Sequence, residues 1–228
     1  PHCPSRQPIE LGQATPWQSR DRKQSSCHKD TEQTPLAALQ WPRRRYTAWL
    51  AMHATALSPI SVILDDLRAG KPIVLVDDEG RENEGDFVVA AEFVDVAAIN
   101  FMTRIGGGYL CVAMTGDSCD RLDLGPQAAV NTSLRTTAFT VSVDGHPKHG
   151  VGTGISAADR VKTILLLADP TSRIDDFVRP GHINPLRARS GGVLARTGQT
   201  EGSVDLCRLA GLQPAAVIIE IVKPDGEM

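Results

Sequence analysis

The residues with the clearest capacity for chemistry lie at positions 77–86, where the sequence reads DDEGRENEGD. Six carboxylates and one arginine share ten positions, and carboxylates at this density repel one another unless a cation or a polar ligand holds them. Two glycines beside Arg81 favour a shaped loop that approaches a ligand closely. The segment alone leaves two interpretations open, a solvated acidic turn or a binding site for a metal or a polyol.

Two apolar runs flank this acidic segment and predict the strands that position it. Ile73–Val76 precedes it, and residues 87–91 follow it, which indicates a strand, an acidic loop and a second strand. A helix is expected before them, with Ser58 as its N-cap, Pro59 as its first residue and Gly70 at its end. Its expected inner face comprises Ile60, Ile63, Leu64 and Leu67.

Strand and helix patterns alternate along the rest of the chain without a strict βαβ rhythm. Further strands are predicted at residues 109–114, 138–143 and 215–222. Further helices are predicted at residues 95–104, 118–122, 156–168 and 200–211, and residues 169–190 are predicted to be mostly loop. The inner face of the helix over 156–168 is expected to comprise Ala157, Val161, Ile164, Leu165 and Ala168. We predict an α+β fold, with a mixed β-sheet flanked by helices in three layers.

Length and charge narrow the class of protein. The 228 residues suffice for one domain of ordinary size or two small ones. Residues 52–228 hold 16 basic and 23 acidic side chains, and this acidic balance argues against nucleic acid as a partner. No apolar run is long enough to span a bilayer. Five cysteines without a CxxC pair favour a reducing, cytoplasmic compartment.

Residues 1–51 differ in composition from the remainder of the chain. They are rich in Gln, Ser, Arg and Pro, and the first methionine is Met52. We expect a disordered extension, or a spurious segment translated from upstream of the true start, ahead of a domain over residues 52–228. A transit peptide is the alternative, but acidic residues in the segment count against it.

Three further positions could take part in chemistry. Glu220 lies in an apolar strand, where burial would suit a general acid or base, unless the strand is an edge strand and Glu220 faces water. His182 lies in a turn, where histidine is a base, a ligand or neither. Arg196, Gly198 and Thr200 lie at a helix start and indicate a phosphate site, although Thr200 could simply cap the helix. Together with the acidic loop, these groups predict enolisation of a sugar phosphate.

Five ordered motifs extend this prediction. They are DDExRENEGD at 77–86, GISAADR at 154–160, RPGH at 179–182 with PLR at 185–187, RxGxTE at 196–201 and PDGxM at 224–228. With these motifs, residues 57–228 resemble 3,4-dihydroxy-2-butanone 4-phosphate synthase of riboflavin biosynthesis. The resemblance implies that ribulose 5-phosphate loses one carbon as formate and yields the four-carbon phosphate. It also implies Mg²⁺ or Mn²⁺, with two ions per site, and a homodimer with sites near the interface.

The resemblance assigns roles by position. Glu82 is implied as a metal ligand, Arg81 and Asp86 as substrate contacts, and His182 and Glu220 as the catalytic acid/base pair, with Glu220 also near the substrate. The implied phosphate segment is Arg196, Thr197, Gly198, Gln199 and Thr200. Cys111 and Thr153 are implied to line the pocket.

Gln199 is the main departure from the family pattern. The family has histidine there as the second protein ligand to the metals, and glutamine is a neutral, weaker ligand with a different reach. The expected metal pair is therefore Glu82 and Gln199. The family also continues past the position of Met228, so the domain is expected to be truncated. These departures give the alternative of a catalytically impaired relative, a pseudoenzyme or a fragment.

Overall fold

The computed structural model describes residues 57–228, so the predictions for residues 1–51 lie outside the described residues. The strands are Ile73–Val76 (β1), Gly85–Ala90 (β2), Cys111–Met114 (β3), Val143–Gly145 (β4), Phe177–Arg187 (β5) and Ala215–Glu220 (β6). The helices are Ile60–Arg68 (α1), Val96–Phe101 (α2), Gly116–Arg121 (α3), Ala157–Ala168 (α4) and Gln199–Leu209 (α5). Among these residues, no helix has both the length and the apolar character needed to cross a membrane.

The six strands form one mixed sheet in the order β1-β2-β6-β3-β5-β4. The β3 and β5 strands run parallel, and every other neighbouring pair is antiparallel. The predicted mixed sheet is therefore confirmed. Because β6 lies between β2 and β3, the alternative that Glu220 belongs to an edge strand is wrong.

Helices cover both faces of the sheet and give the predicted three layers. Alternate strand residues such as Val88 and Ile218 point to one face, where they form a core with Leu67 of α1 and Val204 of α5. On the other face α2 packs against α4, and α4 packs against β4 and β5. Burial of each large apolar side chain between these layers stabilises the fold by roughly 1.5–3 kcal/mol.

Side-chain caps fix the starts of two of the predicted helices. The Asp95 carboxylate accepts a hydrogen bond from the Ala98 N–H at 2.6 Å at the start of α2. The Ser156 hydroxyl accepts one from the Asp159 N–H at 3.1 Å at the start of α4. Each cap satisfies a backbone N–H that the first helical turn leaves unbonded.

Three details of the helix predictions are wrong. Pro59 rather than Ser58 precedes the first residue of α1, without a side-chain cap, and Ile60 is 56% exposed. Burial increases along α1 towards Leu67 because only its later turns reach the core. In α4, Leu165 is exposed and Thr163 is buried instead. The Thr163 hydroxyl accepts a hydrogen bond from the Gly145 N–H of β4, so the side of α4 that contains Thr163 faces the sheet.

The largest correction concerns residues 169–190, which were predicted to be mostly loop but contain the eleven-residue strand β5. Conversely, residues 138–143 do not form a continuous strand. Phe139 and Thr140 make isolated bridges, and β4 begins only at Val143. Strand β5 forms because of tertiary pairing. The second half of β5 contains Pro185, which disfavours a strand locally, but there β3 pairs with it in parallel.

Candidate active site

The acidic loop between β1 and β2 is organised by Asp77. One Asp77 oxygen accepts the Glu84 N–H at 2.9 Å, and the other accepts the Glu82 N–H at 3.2 Å and Arg81 Nη1 at 2.6 Å. Burial opposes ionisation of Asp77, but the Glu84 N–H and the Arg81 guanidinium outweigh it and hold its pKa below the ordinary value. The loop is therefore a shaped structure around a buried carboxylate. Sequence reasoning placed Asp77 in the acidic segment without giving it this role.

Arg81 connects the acidic loop to the start of α5. Its Nη1 atom donates to Glu82 Oε2 at 2.5 Å and to Gln199 Oε1 at 3.0 Å. The arginine side chain is only 13% exposed, so these hydrogen bonds are largely shielded from water. Glu82 and Gln199, which the sequence predicted for one site and which lie more than a hundred positions apart, therefore meet at the Arg81 guanidinium.

The start of α5 is suited to binding an anion. Gly198 is the N-cap and provides no side-chain cap, so the alternative in which Thr200 caps this helix is wrong. Among the described residues, the N–H groups of the first helical turn have no protein acceptor, and they point outward from the positive end of the helix dipole. A Cβ on Gly198 would overlap Arg196 Nη1 and lie 3.1 Å from Arg81 Nη2. Glycine therefore lets two guanidinium groups approach the backbone here without being displaced.

Arg196 is held in place by a buried carboxylate. Its Nη1 donates to Glu201 Oε2 at 2.6 Å, and Glu201 is 1% exposed. Its Nη2 donates to Thr137 Oγ1 at 3.1 Å. Arg196 is thus fixed beside the α5 N-terminus. Of the other predicted phosphate residues, Thr197 is exposed and Thr200 is buried.

Arg135 is a site residue that sequence reasoning missed. It lies in the loop before β4, its Nη2 donates to the Arg81 carbonyl, and its Nε lies 3.6 Å from Glu82 Oε1. The Arg135 carbonyl accepts from Arg196 at 3.4 Å. A lone arginine in a polar, Thr-rich linker gives no signal of this position in the sequence.

Two carboxylates form the floor of the site on the sheet. Asp86 of β2 lies directly opposite Glu220 of β6. Asp86 is 4% exposed, and burial together with the charge of Glu220 raises its pKa to about 8. Burial, with Glu220 and Asp86 nearby, likewise raises the pKa of the Cys111 thiol. The Cys111 thiol is therefore protonated and inert at neutral pH.

Glu220 is tied to the segment before β3. Its Oε2 accepts the Tyr109 N–H at 2.7 Å, and a Cβ on Gly108 would overlap the Glu220 side chain. The Tyr109 hydroxyl in turn donates to Asn184 Oδ1 of β5 at 2.8 Å. These contacts fix the Glu220 carboxylate at the end of the central strand, where it remains partly exposed.

His182 forms a second cluster with Asp144, which sequence reasoning did not identify. Asp144 Oδ1 accepts the His182 backbone N–H at 2.9 Å, and Asp144 Oδ2 lies 2.7 Å from His182 Nδ1. This arrangement orients the ring and leaves Nε2 free to exchange a proton. The Gly154 backbone packs so closely on Asp144 that a Cβ would overlap it, which brings the exposed Thr153 beside this cluster. The available sequence signal for Asp144 was its position directly after the apolar strand predicted at residues 138–143.

His182 and Glu220 belong to different groups of hydrogen-bonded residues. Between residues 57 and 228, no hydrogen bond or ion pair joins His182 or Asp144 to the acidic loop or to Glu220. The β3 strand lies between β5 and β6, which separates their axes by about 10 Å. Their pairing as catalytic acid and base stays a prediction.

The donor atoms near Arg81 suit a hard divalent cation. Asp77, Glu82 and Gln199 direct oxygens at one point, and oxygen ligands are those that Mg²⁺ prefers. Across the described part of the chain, no group of three or more His, Cys, Asp or Glu side chains is arranged to hold a metal. A metal here would therefore depend on few protein ligands and on oxygens from a bound molecule or water.

The site combines three features: buried carboxylates, an uncapped helix start flanked by arginines, and a histidine oriented by aspartate. This combination is typical of enzymes that act on small phosphorylated molecules.

Comparison with known proteins identifies the family. Residues 61–228 match the family of 3,4-dihydroxy-2-butanone 4-phosphate synthase. The riboflavin biosynthesis protein RibBA of Aquifex aeolicus is 56% identical over 165 residues, which cover 72% of this chain and 41% of that protein.

Solved structures agree with this match. A two-domain 3,4-dihydroxy-2-butanone 4-phosphate synthase from A. baumannii, RibBX, has a TM-score of 0.71 and 44% identity, covering 75% of this chain and 50% of that one. A 3,4-dihydroxy-2-butanone 4-phosphate synthase in complex with two magnesium ions has a TM-score of 0.70 and 45% identity, covering 73% of this chain and 76% of that one.

The chain belongs to the 3,4-dihydroxy-2-butanone 4-phosphate synthase family of riboflavin biosynthesis. The fold and family expected from the sequence are thereby confirmed. The chain spans less than half the length of the RibBA relatives it matches.

Proposed function

We propose that this chain converts D-ribulose 5-phosphate to L-3,4-dihydroxy-2-butanone 4-phosphate and formate. The observation that carries the proposal is the hydrogen bond from Arg81 to Gln199. It joins a carboxylate loop suited to a metal to a helix N-terminus suited to a phosphate. A substrate that has a phosphate at one end and vicinal oxygens at the other matches a site with these two parts.

The N-terminus of α5 binds the phosphate in this proposal. The free N–H groups of its first turn donate to phosphate oxygens, and the helix dipole adds to the attraction. Arg196 holds this segment through Glu201, and Arg81 and Arg135 add positive charge beside it. The resulting site is selective for a dianion over a neutral sugar.

Glu82 and Gln199 would hold Mg²⁺ or Mn²⁺. One family structure is described in complex with two magnesium ions, and we propose two ions per site here. Both residues provide oxygen donors, which suit these cations. When bound, such a cation stabilises negative charge that develops on substrate oxygens.

Proton transfer is assigned to the sheet floor and to His182. At neutral pH the raised pKa favours a protonated Asp86 opposite Glu220, so the Asp86 carboxyl group can act as an acid. His182, with Nδ1 held by Asp144, can accept a proton at Nε2. The enolisation and the skeletal rearrangement both need such proton relays.

We further propose that residues 52–228 form the synthase domain and that the protein acts as a cytoplasmic homodimer. The separation of His182 from Glu220 within one chain supports a site that is completed near a dimer interface. A partner surface could use exposed apolar side chains such as Ile105, Tyr109 and Ile155.

The alternative of a catalytically impaired relative is not favoured by the comparisons. To test the proposal, ribulose 5-phosphate and Mg²⁺ are incubated with the folded protein and followed by ³¹P NMR. A new phosphomonoester signal should appear at the expense of the substrate signal. The same result with Glu82→Ala, or no new signal with the unaltered protein, would refute the proposal.

A further inference from the structure

Three side-chain oxygens converge on one nitrogen atom of Arg81. Asp77 Oδ2, Glu82 Oε2 and Gln199 Oε1 lie 2.6, 2.5 and 3.0 Å from Arg81 Nη1. Two of these oxygens belong to the residues proposed to hold the metal. A magnesium ion sits about 2.1 Å from its oxygen ligands, so Nη1 occupies the space that such an ion would need. These three oxygens cannot surround the guanidinium nitrogen and a magnesium ion at the same point.

We propose that Arg81 is an internal competitor for the metal, which holds Glu82 and Gln199 until a cation and an anionic ligand displace it together. The inference rests on the proposed function, because it takes Glu82 and Gln199 as the metal-binding residues. It adds a role for Arg81 that is separate from contact with the substrate: the arginine couples occupation of the metal site to occupation of the phosphate site.

The partners of Arg81 differ in how easily they can release it. Asp77 is fixed by the N–H groups of Glu82 and Glu84 and is buried, so it can remain as an anchor. Gln199 is 8% exposed, and within residues 57–228 its Nε2 has no hydrogen-bond partner. The amide is therefore held only through the oxygen that Arg81 binds. Its free N–H₂ group is available to a ligand in the site when that oxygen turns to the metal.

The guanidinium has a second place to go. Arg81 Nη2 points to Gly198, where an added Cβ would lie 3.1 Å away, and Gly198 begins the helix whose first N–H groups are free. An anion bound there attracts Arg81 away from Glu82 and Gln199. By thermodynamic linkage, anion and metal must then strengthen each other's binding by the same factor.

A simpler alternative is that Arg81 only stabilises the acidic loop through its ion pair with Asp77. In that case its removal would lower stability and would not raise metal affinity. The two alternatives are separated by measuring free Mn²⁺ by EPR during titration of the metal-stripped protein. The variants are Arg81→Met, Glu82→Ala and the control Arg208→Met, which removes an arginine that pairs with Asp205 near the other end of α5.

Arg81→Met should bind Mn²⁺ at least about tenfold more tightly than the unaltered protein, because a charge-assisted hydrogen bond no longer competes. Arg208→Met should change the affinity by less than about twofold, since it removes the same charge from a solvent-exposed pair. Unchanged or weaker Mn²⁺ binding in folded Arg81→Met overturns the inference. If Glu82→Ala also binds as tightly as the unaltered protein, the assignment of the metal in the proposed function fails as well.

A second measurement tests the coupling between the anion and the metal directly. Sulfate serves as the anion, with protein-free titrations to correct for Mn²⁺–sulfate pairing. Saturating sulfate should tighten Mn²⁺ binding to the unaltered protein several-fold and should have a much smaller effect on Arg81→Met. If sulfate leaves the affinity of the unaltered protein unchanged while Glu82→Ala abolishes binding, the metal site stands and the role of Arg81 as competitor is refuted.

Discussion

Asp86 gives the most quantitative prediction. Its pKa rises from an ordinary value of 3.8 to about 8 because the carboxyl is buried on the sheet and faces Glu220. Since the folded-state pKa is the higher one, the folded protein keeps a proton that the unfolded chain releases. The stability that the protonated Asp86 carboxyl contributes to the folded protein is therefore complete below about pH 4 and is lost as the pH rises towards 8. Asp86→Asn mimics the protonated carboxyl and removes this dependence.

The magnitude follows from the size of the shift. One proton contributes about 1.4 kcal/mol per pH unit to the free energy of unfolding. Between pH 5 and pH 7, the variant should therefore gain up to about 3 kcal/mol of stability relative to the unaltered protein. Above the raised pKa, the difference should reach a plateau. The expected change in the free energy of unfolding is positive: removing a carboxylate from the candidate active site should stabilise the fold.

The assay is urea unfolding in EDTA at a series of pH values, with equal m-values required for the comparison. Asp65→Asn, at an exposed position in α1, controls for the loss of one negative charge. A stability difference between Asp86→Asn and the unaltered protein that stays constant from pH 5 to pH 8 would refute the argument. Such a result would mean that Asp86 is ionised in the folded protein at neutral pH.

Three further variants test other parts of the site. Gly198→Ala should raise KM for ribulose 5-phosphate about tenfold, because a methyl group displaces a guanidinium beside the helix start; an effect no larger than that of Gly125→Ala, where a Cβ meets nothing, would contradict this. Asp144→Asn should lower kcat by roughly 100-fold, because it changes which nitrogen of His182 holds the proton; a kcat within twofold of the original would exclude that role. Gln199→His should tighten Mn²⁺ binding several-fold or raise kcat, and a change in neither would show that this position is not a metal ligand.

The fold was largely predictable because its signals are local. The strands around the acidic loop and the capped helices α2 and α4 follow from apolar periodicity and from Asp95 and Ser156. Strand β5 was not predictable from the same signals. It contains two prolines and two arginines, and only its pairing with β3 and β4 makes it a strand. Tertiary pairing of this kind leaves no mark in a local window of sequence.

The candidate site shows the same division. The residue types at Arg81, Glu82 and Gln199 indicated chemistry, and the structure brings them together. The orienting roles of Asp77 and Asp144 depend on which backbone N–H groups and side chains fold against them. Those partners are set by loop closure and by a bulged strand pair, which residue types do not specify.

Release of formate tests the central claim most directly. Ribulose 5-phosphate and Mg²⁺ are incubated with the folded protein, and formate is measured with formate dehydrogenase alongside the four-carbon phosphate. We expect one formate for each four-carbon phosphate, and almost none with Glu82→Ala, whose carboxylate is assigned to the metal. Formate no higher than with Glu82→Ala, from protein shown to be folded, would contradict the assignment of synthase activity to this chain.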